Sequence, residues 1–183
     1  MTYRPVRVVL DANVLYPFSL RDTLLRAAEA GLYQVYWSDE IMEETRRNLV
    51  ASAGVSEEQA ERLISLMKTA FPEALVTGHA ALVESMENHP KDRHVAAAAS
   101  KAGAQVIVTM NLKDFIPLPA GIEARSPDDF LCSLLELDPE TMVALLRAQA
   151  AALRSPPVPL QKLLAGLAKT VPSFVQALAT HMS

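Results

Sequence analysis

The chain has 183 residues, 50% hydrophobic and 21% charged, with a formal net charge of -4. These values fit one soluble globular domain with a proper core and room for an appendage, and they exclude the strongly basic balance of a bulk nucleic-acid binder. Cys132 is the only cysteine, which excludes an internal disulfide and suits a reducing cytosol.

The first element is Val6–Leu10, a short β-branched run between Pro5 and Asp11 that reads as a buried strand. It is too short for the core of a signal peptide, and no later apolar run is long enough to cross a bilayer. Leu20–Ala30 has helical spacing and stops at Gly31. Gln34–Trp37 reads as a second strand. Ser38 is placed to cap a helix over Asp39–Ala51, and Ser56 with Gln59 forms a capping box for a helix reaching Ala70. Ala74–Thr77 reads as a short strand. Lys91–Ala102 is helical and ends at Gly103; Val106–Thr109 is a second buried strand; Ala124–Ser126 reads as an edge strand before a helix over Pro127–Glu136. Beyond it, Asp138-Pro139-Glu140 starts a helix that runs to Leu153. Ser155–Pro159 is a stiff connector, and two amphipathic segments follow, Leu160–Lys169 and Ser173–Met182.

Strands alternating with helices imply an α/β fold, a mainly parallel sheet covered on both faces, with a C-terminal helical extension. The expected division is 1–136 for the α/β domain and 137–183 for the extension. In such sheets ligands bind at the carboxyl ends of the strands, where Asp11 and the Asn111 loop fall.

Several acids attract notice. Asp11 follows a buried strand, either as a turn or helix-start residue or as part of a site. On the helix after strand two, Ile41, Thr45 and Leu49 define the inner face at roughly 100° per residue. Glu43 falls opposite that face, whereas Glu44 lies at its border and can reach a cleft. Asp92 shares a face with Val95, Ala96 and Ala99; it either caps its helix or points inward. Asn111 and Asp114 follow a buried strand, either as turn formers or as site groups. Carboxylates gathered in one pocket repel: two charges ~5 Å apart at an effective dielectric of ~20 cost about 3 kcal/mol. A hard cation such as Mg²⁺ or Mn²⁺ removes that cost through oxygen ligands. His79, His89, His94 and His181 are scattered without a zinc pattern, and no P-loop, GxGxxG or GxSxG motif occurs. The proximity of His94 to Asp92 leaves a substrate role open.

Four segments carry a family resemblance: Val8–Leu15, Ile41–Thr45, His89–Ala98 and Val106–Phe115. In order and spacing they resemble the acidic motifs of the PIN-domain ribonucleases, especially the toxin subunits of VapBC-type toxin–antitoxin pairs, over roughly residues 4–130. The resemblance implies a PIN-like three-layer α/β/α fold and endonucleolytic cleavage of single-stranded RNA with Mg²⁺ or Mn²⁺. It implies that Asp11, Glu44 and Asp92 hold the metal and that Asn111 orients a ligand or water. Many members carry Asp where Asn111 stands; Asp114 either supplies that charge or shapes the loop. Arg46, Lys91, Arg93 and Lys113 flank the motifs as contacts to substrate phosphate or as solvated charges. A protein antitoxin, a homodimer and a cytoplasmic location are the further implications, and the tail is similar to helical extensions of one toxin subgroup.

Two rivals stand beside this reading. Leu10–Leu15 and Val108-Thr109 loosely resemble motifs of haloacid-dehalogenase-like phosphatases, although Asn13 stands where that chemistry needs an acid. The other rival is a non-catalytic interaction module whose acids only hold loops.

Overall fold

The computed structural model describes residues 4–153 and 159–182. The expected connector lies outside them except for Pro159. The two unbroken apolar runs become neighbouring strands. β1 (Arg7–Leu10) pairs in parallel with β2 (Gln34–Tyr36) on one side and β3 (Val106–Val108) on the other. β4 (Glu123–Arg125) adds to β3, giving a four-stranded parallel sheet of order β2-β1-β3-β4. Successive strand residues point to opposite faces, and Val8, Val9 and Leu10 are all fully buried. The sheet is therefore covered on both sides, as parallel sheets require.

The register is what builds the site. Leu10 is level with Val108, and Asp11 N donates to Val108 O at 3.0 Å. Asp11 and Thr109 consequently leave the sheet side by side at its carboxyl end.

A one-turn helix absent from the sequence reading, α1 (Ala12–Leu15), starts at once, with Asp11 as its N-cap. α2 (Phe18–Glu29) follows, then, after β2, α3 (Asp39–Ser52), capped by Ser38, whose hydroxyl accepts from Ile41 N at 3.2 Å. α4 (Glu57–Ala70) carries the expected capping box between Ser56 and Gln59. Each such cap offsets an orphaned helix-end donor, worth about 1 kcal/mol. The strand expected at Ala74–Thr77 is instead a single bridge from Leu75 to Trp37. Pro72 and Gly78 bracket the segment closely, so although Ala74 and Val76 are buried it has no length for a ladder. The helix expected from Lys91 is split: a 3-10 turn, Pro90–Asp92, precedes α5 (Arg93–Ala102). Gly103 ends α5 at φ 66°, where an added Cβ would also lie 3.3 Å from the Arg7 guanidinium. α5 packs on β1 and β3; Ala96–Ala99 are all fully buried, and Ala96 and Ala97 share a core cluster with Met86.

The remaining helices are α6 (Pro127–Leu137), α7 (Pro139–Ala152), α8 (Leu160–Leu167) and α9 (Pro172–Thr180). The chain forms two compact units. One joins the chain up to Pro17 with Tyr33–Arg125; the other joins Phe18–Leu32 with the chain from Ser126 onward. Packing thus places α2 and α6, which the sequence reading assigned to the first segment, with the C-terminal helices. α2 packs on α7 and α8, and α6 on α7 and α9. Thr23 Oγ1 on α2 donates to Gln149 Oε1 on α7 at 2.8 Å, while Gln149 Nε2 donates to Ser19 O at 3.1 Å. Asp128 on α6 caps α9, accepting from Ser173 N at 3.1 Å and Phe174 N at 2.8 Å. Among the described residues no helix is long and apolar enough to cross a membrane.

Candidate active site

Asp11 lies at the carboxyl end of β1 and is only 3% exposed. Its Oδ1 accepts from Ala12 N at 2.8 Å, and its Oδ2 accepts from Thr109 Oγ1 at 2.9 Å and Asn13 Nδ2 at 3.3 Å. Helix-start residue and site residue are thus one and the same. Burial, together with the charges of Asp92 and Glu44, outweighs these hydrogen bonds and pushes the Asp11 carboxyl up to about 6.

Thr109 and Asn13 tie the two strand ends together. Asn13 Nδ2 donates to Thr109 Oγ1 at 3.1 Å, Asn13 Oδ1 accepts from Met110 N at 3.0 Å, and Thr109 Oγ1 accepts from Asn111 N at 3.1 Å. In the sequence Thr109 reads as the end of a buried strand and as part of the phosphatase-like Val108-Thr109 pair, and neither reading links it to Asn13. The available signal was a polar residue closing each apolar run at matched register. With its amide committed in this way, Asn13 cannot serve as the acid a phosphatase would need.

Asp92 is 5% exposed and precedes α5 without capping it: its carboxylate bonds to no backbone N–H of that helix. The capping explanation therefore fails, and the inward reading holds. Burial raises its pKa, helped by Glu44 and Asp114. Asn88, passed over in the sequence, is buried and staples the two loops: its Nδ2 donates to Asp114 O at 3.3 Å, and His89 N donates to the same carbonyl at 3.1 Å.

Glu44 is half-buried on α3, and His94 Nε2 donates to its Oε1 at 2.9 Å. That bond, with the positive charge of His94 behind it, holds the Glu44 carboxyl below its ordinary value. For His94, burial opposes the charged ring, but the Glu44 bond and the fields of Glu44, Glu40 and Asp11 outweigh it, and its pKa is raised. His94 thus favours its protonated form more than a free imidazole does and is bonded to Glu44, a contact with a site acid rather than the substrate role that its closeness to Asp92 leaves open. Glu43 faces solvent, as its helical position predicted, and pairs with Arg46.

The structure therefore brings Asp11, Glu44 and Asp92 within electrostatic reach of one another, with Asp114 acting on Asp92. Asn111 is exposed, and its side chain caps nothing. Of the two candidates in this loop, Asp114 is the one whose charge reaches the acids. Among the described residues, no three His, Cys, Asp or Glu side chains already stand together as a metal-ligand set. The donor chemistry nonetheless fits a hard divalent cation: all the converging groups are oxygen donors, and Asp11 and Asp92 both carry a charge that burial disfavours.

The flanking cations sort into two groups. Arg46 is neutralised, with its guanidinium bonded to Glu43 at 2.6 Å and also to Glu57. Arg93 Nε donates to Asn88 O at 2.9 Å. Lys91 and Lys113 remain exposed. A cleft of about 190 Å³ beside the acids is lined by Glu44, Arg47, Asn48 and Lys91.

Comparison with known proteins bears on this geometry. The family model described as "PIN domain" matches residues 7–113, and the model described as "VapC50 C-terminal domain" matches residues 127–180. A curated protein of Mycobacterium tuberculosis named "Putative ribonuclease VapC50" is 41% identical over 117 residues, covering 60% of this chain and 69% of its own length. No solved structure matches the chain.

Proposed function

Because the chain belongs to the PIN-domain family, we propose that it is a Mg²⁺- or Mn²⁺-dependent endoribonuclease that cleaves single-stranded RNA, the toxin member of a VapBC-like pair. The observation that carries this reading is Asp11, buried at the carboxyl end of a parallel sheet at a cost that its hydrogen bonds do not offset, with Glu44 and Asp92 within electrostatic reach of it. The name of the M. tuberculosis relative supports the nuclease assignment.

Asp11, Glu44 and Asp92 would hold the cation, which when bound activates a water and stabilises charge on the phosphate. Asp11 is fixed for this by Thr109 and Asn13, which keep Oδ2 in place at the sheet edge. Glu44 is held through Oε1 by His94, leaving Oε2 for the ion. Asp114 supplies further negative charge next to Asp92, and Asn111 is available at the rim to orient a ligand or water. A protein antitoxin is the expected partner, covering the cleft and presenting a basic group to the acids; a homodimer in the cytoplasm is the expected form.

The test is direct. Single-stranded RNA should be cut internally by the wild-type protein with Mn²⁺ or Mg²⁺, left intact in excess chelator, and left intact by Asp92→Asn with metal present. Equal cleavage by Asp92→Asn would point to a contaminant and remove the reading.

A further inference from the structure

Resting on the nuclease reading above, we propose that Arg47 and Lys91 form a two-cation clamp for the phosphodiester backbone of single-stranded RNA, on the α3 side of the acidic site. The substrate strand would lie across the cleft beside Glu44, with the phosphate neighbouring the one to be cut held between the two side chains.

The sequence nominated Arg46 from this pair of adjacent arginines, but the fold reverses the choice. Arg46 projects to Glu43 and Glu57 and is neutralised there. Arg47 stands three residues after Glu44 and Asn48 four, so all three share one face of α3. Lys91 comes from the 3-10 turn that delivers Asp92. These two separate elements meet at one cleft, of about 190 Å³, whose wall includes Glu44.

Charge points the same way. Arg47 and Lys91 are exposed, and among the described residues neither side chain makes a hydrogen bond or ion pair. Their fields reach the site all the same, since both help hold the Glu44 carboxyl down. A polyanion approaching Asp11, Asp92 and Asp114 meets repulsion, and the whole chain is acidic. Binding therefore needs a local cationic edge next to the acids, and this cleft supplies one, with the two cations Arg47 and Lys91 set against the single carboxylate of Glu44. Asn48, half-buried in the same wall, adds a neutral amide donor. A lone exposed lysine or arginine is ordinarily just solvated; the distinguishing fact is that two unpaired cations from different elements open onto one cleft shared with a candidate metal ligand.

The probe is a fluorescent single-stranded oligoribonucleotide, with affinity read by anisotropy across a salt series in chelator so that no strand is cut. Each phosphate contact on a single strand contributes about 0.7 to the slope of log affinity against log salt. Arg47→Ala/Lys91→Ala should therefore flatten that slope by about 1.4, and each single substitution by about half as much. Arg47→Lys and Lys91→Arg should restore it, because the role requires charge rather than shape. An unchanged slope in the double alanine protein, or no salt-dependent binding by the wild type, overturns the clamp. Cleavage of the same strand with Mn²⁺ separates the two levels. A wild type that cuts, with a slope the double substitution leaves alone, defeats the clamp and leaves the nuclease. A wild type that never cuts, yet loses the slope on substitution, defeats the nuclease and supports the clamp.

Discussion

Replacing Asp11 by Asn removes the most perturbed carboxylate of the site, and its effect can be worked out from the structure. The carboxyl moves from an ordinary 3.8 to about 6 on folding, first through burial and then through Asp92 and Glu44. Between those values the native state binds the proton that the unfolded chain releases, so this group's contribution to stability is lost as pH rises through about 6. The full shift is worth about 3 kcal/mol at neutral pH and above. At about pH 5 the native carboxyl is mostly protonated, and roughly half of that penalty disappears. Metal-free protein should therefore gain ~1–2 kcal/mol from this residue between about pH 7.5 and pH 5, or ~2–8 °C in melting temperature for a chain of this size. Asp92 and His94, both raised, act in the same sense, while Glu44, lowered, opposes them. The comparison that isolates Asp11 is the pH dependence of melting in chelator for wild type against Asp11→Asn. The absolute melting temperature is less diagnostic, because Oδ2 accepts from both Thr109 and Asn13 and an amide nitrogen cannot. Superimposable pH profiles for the two proteins would refute the claim that burial makes Asp11 costly.

Adding Mn²⁺ or Mg²⁺ at about a hundredfold over its dissociation constant should stabilise the wild type by about 3 kcal/mol. Thermal melts should show that rise blunted in Asp11→Asn, and an equal rise in both would count against Asp11 as a ligand. His94→Ala should weaken Mn²⁺ binding, read by electron paramagnetic resonance, by roughly 10–100-fold, as expected for a group that orients a ligand; His94→Gln, which keeps an amide donor for Glu44, should recover part of the loss. Thr109→Val leaves Asp11, Asn13 and Asn111 short of a shared partner and should cost ~1–3 kcal/mol in urea denaturation. An unchanged midpoint would mean that the strand ends are held by other contacts. Asp128→Ala should uncap α9 at a cost of ~1 kcal/mol, visible as faster hydrogen exchange at Ser173 and Phe174.

The buried strands were legible because β1 and β3 are unbroken apolar runs, and the caps at Ser38 and Ser56 because their side chains satisfy neighbouring donors within one turn. Asp11 and Asp92 stood out as acids attached to apolar surfaces. Thr109, Asn13 and Asn88 were not legible as site scaffolding, because their partners lie 96 or 26 residues away or depend on the β1–β3 register. Arg46 and Arg47 are neighbours in sequence; Arg46 is neutralised both by Glu43 one turn before it and by Glu57, whose place on α4 no local pattern gives. The grouping of α2 with α6–α9 was equally hidden, since an amphipathic face does not announce which element will cover it.

That grouping sets an order of events for the ribosome. The apolar stripe of Leu20, Leu24 and Ala27 on α2 is finished roughly 110 residues before α7 begins, a wait on the order of 5–20 s at ordinary rates of synthesis. Nascent chains stalled before α7 should carry a sticky, unfinished helix and recruit chaperones. Fragments cut off after β4 should likewise aggregate rather than survive as a small catalytic core.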